Sequence, residues 1–95
     1  MYKPKVGEII CIQWDQGNEY GVVISKREYK KQTGDNATRS DGFFYKIGEE
    51  IIFCSKSENQ TFKNIRKSSK EEALSDLEER LSSLTVIVNF IKSLP

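Results

Sequence analysis

Histidine is absent from this 95-residue chain, which removes Ser-His-Asp and Cys-His catalysis together with histidine-based metal sites. Cysteine is scarce. Cys11 and Cys54 do not stand at the CxxC spacing of a zinc pair, and no GxxxxGKS/T or GxGxxG run offers a glycine cradle for phosphate. Neither a metal nor a cofactor is expected. No apolar run approaches the roughly 18 residues of a membrane span, and no basic n-region with an apolar h-region opens the chain. The expectation is a cytoplasmic protein with no membrane association. Charge of either sign is also not in excess, with 15 Lys+Arg against 14 Asp+Glu and a formal net charge of +1. Any nucleic-acid role must therefore rest on local clustering.

What is present begins with strands. A chain of this length makes one domain and buries roughly 65% of its unfolded surface. In VGEIICIQWDQGNEYGVVISK, residues 6 to 26, apolar residues alternate, so Ile10, Ile12 and Trp14 share one face and Tyr20, Val22 and Ile24 share one face. The Asp-Gln-Gly-Asn-Glu link between them is either a plain turn or the rim of a site. Trp14 is expected in the core. Both cysteines fall in predicted strands with apolar neighbours, where a reduced Cys acts as a small hydrophobe; spacing leaves a disulfide between them open as well. Residues 26–42, KREYKKQTGDNATRSDG, carry few apolar residues and several turn formers, and read as a long exposed loop. Phe43 to Ile47 alternates as a strand, Gly48-Glu49-Glu50 turns the chain, and Ile51 to Cys54 returns it as a hairpin. A polar segment then leads to a short fifth strand, Thr61 to Ile65.

From residue 69 the period changes. Ser69 stands three residues before Glu72, a capping box that starts a helix. Leu74, Leu77, Leu81, Leu84, Val88 and Ile91 follow at alternating spacings of three and four and share one stripe, which the sheet is expected to cover. Asp76 and Arg80, four apart, are placed on the wet side. Thr85 to Val88 is a β-branched run that also suits a strand, but the helical spacing persists through it. The fold expected is α+β, mainly β: a single domain with a small SH3-like barrel of about five strands over residues 1–67, loop 26–42 included, and a long C-terminal helix over 68–95. Val86, Ile87, Phe90 and Leu94 lie outside the stripe, and with Leu84 they are assigned to a homodimer interface; a different protein partner is the alternative.

Around the loop the chain is locally basic. Lys26, Arg27, Lys30, Lys31, Arg39 and Lys46 outnumber Glu28, Asp35 and Asp41, and Tyr29, Phe43, Phe44 and Tyr45 are interleaved with them. Cations beside flat rings hold single-stranded RNA by phosphate contact and base stacking, and Lys26, Arg27, Tyr29, Lys30, Lys31, Arg39 and Phe44 are the binding candidates. The plainer reading makes Phe43 and Tyr45 core and the lysines a solvated loop.

The order of elements resembles the PemK/MazF family of toxin endoribonucleases. The resemblance rests on Gly7-Glu8, the strand Ile9 to Trp14, Asp15, the turn Gly17-Asn18-Glu19, and Gly21 to Ser25. Tyr29, Thr33-Gly34, the Thr38 to Phe44 segment, and Phe62 to Ile65 with the following helix continue it. It implies an SH3-like fold, a homodimer, a toxin module of a mobile element with an antitoxin as partner, and cleavage of single-stranded RNA without metal. Two departures stand out. The family's Arg-Pro between the turn and the second strand is missing, since Glu19-Tyr20-Gly21 runs straight on, and the segment from Ser25 to Phe43 is short for the family's extra strand. Cleavage needs a proton acceptor, a donor to the leaving oxygen and positive charge on the phosphorane. The candidates are Asp15 or Glu19 as acceptor, Arg39 or Arg27 for charge, and Thr38 or Ser40 for the hydroxyl. Two rivals remain: a non-catalytic SH3-like interaction protein binding a protein or nucleic acid, and a KOW or Tudor-like reader, which leaves the apolar helix unexplained.

Overall fold

The computed structural model describes residues 3–38, 41–55 and 65–95. Ile9–Trp14 (β1) and Gly17–Ile24 (β2) form a first hairpin, Lys26–Thr33 is a helix (α1), and Gly42–Ile47 (β3) and Glu50–Ser55 (β4) form a second hairpin. Ile65–Lys67 (β5) returns to pair with β1, and Lys70–Lys92 is a long helix (α2). The strands are antiparallel throughout and make one open sheet in the order β4-β3-β2-β1-β5. The α+β, mainly β class is as expected. Residues 61–64 of the anticipated fifth strand lie outside the described residues. Among the described residues, no helix is long and apolar enough to cross a membrane.

Strand register sets the core. Ile10 and Ile12 stand opposite Gly21 and Glu19, and Val23 stands opposite Tyr45, which pairs onward with Ile52. Partners in an antiparallel pair share a face. That face holds the buried cluster Ile10, Ile12, Val23, Tyr45 and Cys54, with Phe43, Ile47, Ile52 and Ile65 packed against it. Cys11 stands opposite Tyr20 on the other face, so the two thiols are on opposite sides of the sheet and are not joined. Gly42 is dictated by packing, because a Cβ there would lie 2.0 Å from the Cys54 carbonyl oxygen.

The first half of the anticipated loop is a helix. Ser25 caps it by accepting the Glu28 N–H at 3.1 Å, and Gly34 ends it in the left-handed region at φ 79°, donating its N–H to the Lys30 carbonyl at 2.7 Å. A polar composition hid an ordinary capping pattern, Ser-x-x-Glu at the start and Gly at the stop. The Tyr29 ring stacks on Phe44 at 4.3 Å between centroids, and Phe44 meets Phe53 at 4.9 Å. This aromatic column pins α1 to the sheet.

Ser69 caps α2 as expected, accepting the Glu72 N–H at 3.0 Å. The helix is rotated about a quarter turn from the expected orientation. Its buried residue is Ala73, whereas Leu74, Leu77, Leu81, Leu84, Val88 and Ile91 are all exposed. The supposedly wet side is the docked one. The Tyr20 hydroxyl donates to Asp76 Oδ2 at 2.6 Å, Arg80 Nη2 donates to the Asn18 carbonyl, and Arg66 of β5 pairs with Glu72. Periodicity locates an apolar stripe on a helix but does not say what the stripe meets.

If the polar dock orients α2, Tyr20→Phe should destabilise the chain by about 1 kcal/mol, the value of a hydrogen bond to a partly exposed charged acceptor. Urea denaturation followed by circular dichroism measures it, and an unchanged midpoint would show that the hydroxyl contributes nothing.

Candidate functional site

Two surfaces carry chemistry, at opposite ends of β2. At one end, the β1–β2 turn and α2 enclose an open cavity of about 500 Å³ lined by Trp14, Asp15, Gln16, Gly17, Glu19 and Arg80. Trp14, expected in the core, is 46% exposed at its edge. The turn is therefore a rim as well as a turn. Arg80 reaches it from α2: its Nη2 holds the Asn18 carbonyl, and its Nε lies 3.6 Å from Asp76 Oδ1. Nothing in the sequence announced this placement, because Arg80 and Asp76 also fit an exposed i,i+4 pair. The cavity groups two carboxylates, Asp15 and Glu19, with one guanidinium, Arg80.

At the other end, Tyr29 faces the sheet, and the turn of the helix then puts Arg27 and Lys31 on the opposite side, Lys30 at the flank and Lys26 nearer the sheet. All four cations are exposed, and none forms an ion pair among the described residues. The one carboxylate of α1, Glu28, accepts from Gln32 at 2.8 Å and forms no ion pair with them among the described residues. Beside α1, Thr38 lines a shallow cavity of about 170 Å³ with Tyr29, Asn36, Ala37, Phe44 and Phe53.

The sequence candidates are thus divided. Lys26, Arg27, Lys30 and Lys31 share one surface with Thr38 nearby, while Glu19 stands at the far end of β2. Glu19 to Ser25 spans about 20 Å of strand, too far for a proton acceptor and a charge on one phosphate. Tyr29 and Phe44 stack on each other, and Phe44 is buried, so this pair anchors α1. Arg39 and Ser40 lie outside the described residues. Among the described residues, no group of three or more Cys, Asp or Glu is placed to hold a metal ion.

Beneath α2 lies a third group of titratable side chains. Burial pushes the Cys11 thiol up, and burial together with the hydrogen bond to Asp76 pushes Tyr20 up to about 12. The Arg66 guanidinium holds Glu72 below the usual carboxylate range. These groups brace the helix and are paired with each other at the half-exposed edge of the dock. No protein-family profile, curated protein or solved structure matches the chain significantly.

The folded protein favours the protonated Tyr20, so its contribution to stability is complete below the ordinary tyrosine value and is lost as pH climbs through about 12. Absorbance titration should show one tyrosine ionising near 12, a phase that Tyr20→Phe removes. Titration of every tyrosine near the ordinary value of about 10 would contradict the buried hydrogen bond.

Proposed function

We propose that the protein binds single-stranded RNA through the outer face of α1. The observation that carries this reading is the aromatic anchoring of α1, which commits Tyr29 to the sheet and leaves Lys26, Arg27, Lys30 and Lys31 exposed, with no carboxylate partner among the described residues. A row of exposed cations on a rigid element releases counterions when it meets a phosphate backbone. On this reading the chain is a non-catalytic interaction protein on a small SH3-like sheet. The division of the catalytic candidates between two ends of β2 supports it.

A second reading is a PemK/MazF-like endoribonuclease of a toxin module. One observation favours it: α2 brings Arg80 to the cavity that Glu19 lines, supplying a guanidinium where the turn sequence has none. There Glu19 would take the 2′-hydroxyl proton as the 2′ oxygen attacks phosphorus, the bond from phosphorus to the 5′ oxygen would break with a solvent water protonating the leaving oxygen, and Arg80 would face the charge that develops. The products would be a cyclic phosphate and a 5′-hydroxyl.

The binding test uses a fluorescent mixed-sequence single-stranded RNA with increasing salt. Four neutralised phosphates give a slope of log affinity against log salt of about −3, and replacing Lys26, Arg27, Lys30 and Lys31 with Gln should flatten it. Binding that ignores both salt and these residues would overturn the α1 surface.

Cleavage is tested separately by incubating the purified protein with the same RNA in EDTA. Cuts ending in cyclic or 3′-phosphate, lost in Arg80→Ala and partly restored in Arg80→Lys, would establish the second reading. Retention of intact RNA would leave the binder.

A further inference from the structure

We infer that α2 is a dimerisation helix, and that two copies of this chain pair their α2 stripes antiparallel. The helix has 23 residues, and from Leu81 onward every residue is exposed. The molecule is accordingly elongated, measuring 55 × 31 × 23 Å. The dock to the sheet uses Ala73, Asp76 and Arg80, which lie roughly a quarter turn around the helix from the stripe. Docking therefore leaves the whole stripe available, with Leu81 at 64% and Leu84 at 58% exposure.

The stripe is complementary to itself in one register. Antiparallel, Leu74 meets the partner's Ile91, Leu77 the partner's Val88, and Leu81 the partner's Leu84, so every stripe residue finds an apolar mate. The flanks discriminate orientation. In this register Ile87 lies beside the aliphatic stem of the partner's Arg80. A parallel pair would instead set Ile87 against the partner's Lys92. Each half-exposed aliphatic side chain offers on the order of 100 Å². The stripe with Ile87 thus supplies about 700 Å² per chain, close to the roughly 800 Å² each partner loses in a stable interface. Isologous two-fold pairing is also the commonest soluble assembly. Val86 and Phe90 lie on the far side of the helix and take no part in this seam.

Sedimentation of the full chain at micromolar concentration should show a dimer, and Leu81→Glu with Leu84→Glu should give a monomer that keeps its strand circular dichroism. Orientation is read from the wild-type background by spin labels on Lys92→Cys, both native thiols being buried. Antiparallel pairing puts the two labels about 30 Å apart, whereas a parallel pair holds them near the helix spacing of about 10 Å. A wild-type monomer, a dimer indifferent to both glutamates, or a short label distance would each overturn the inference. The distance measurement decides even if the double variant fails to fold.

Discussion

The contact on which the arrangement depends is the polar dock of α2, where Tyr20 donates to Asp76 and Arg80 reaches the Asn18 carbonyl. Partly exposed ion pairs such as Arg66–Glu72 contribute only about 0–1 kcal/mol each. The dock is therefore selective more than strong. Rolling the helix a quarter turn would lay leucines on the sheet, but it would strip Tyr20, Arg66 and the Asn18 carbonyl of partners beside a buried thiol. A fully buried unsatisfied polar group costs about 1–3 kcal/mol and these half-buried ones less, and directional hydrogen bonds convert that cost into a fixed rotation of the helix. The same rotation presents an apolar stripe to solvent and brings Arg80 to the turn cavity.

The near-neutral chain is a sum of separated patches. Cations collect on α1, carboxylates collect at the β1–β2 turn, and β2 holds the two about 20 Å apart. That exceeds the screening length of about 8 Å in physiological salt, so each patch acts on solvent almost independently. A phosphate backbone sees α1 as basic, whatever the net charge. The sheet divides labour in a similar way: one face is the apolar core, and the other holds the helices through aromatic rings for α1 and hydrogen bonds for α2.

The strands, both hairpins and the start of α2 were legible in the residues, because alternation with period two, turn glycines and the Ser69 to Glu72 spacing are local and short in range. The α1 caps were equally local. Ser25, Glu28 and Gly34 were visible, and composition alone turned the segment into a loop. Its one aromatic, Tyr29, reads as a stacking platform until Phe44 is seen against it.

What the sequence determined by itself was the period of each element and the existence of an apolar stripe on α2, since those follow from chain geometry alone. Only the tertiary structure decided that the stripe faces away from the sheet, that Asp76 and Arg80 form the docked side, and that Glu19 and Arg27 are far apart. The reason is physical. Periodicity is a property of one segment, whereas the partner of a face is chosen by comparing whole arrangements, and here Tyr20, Arg66 and the Asn18 carbonyl meet their partners on α2 only when the leucines beside them face away.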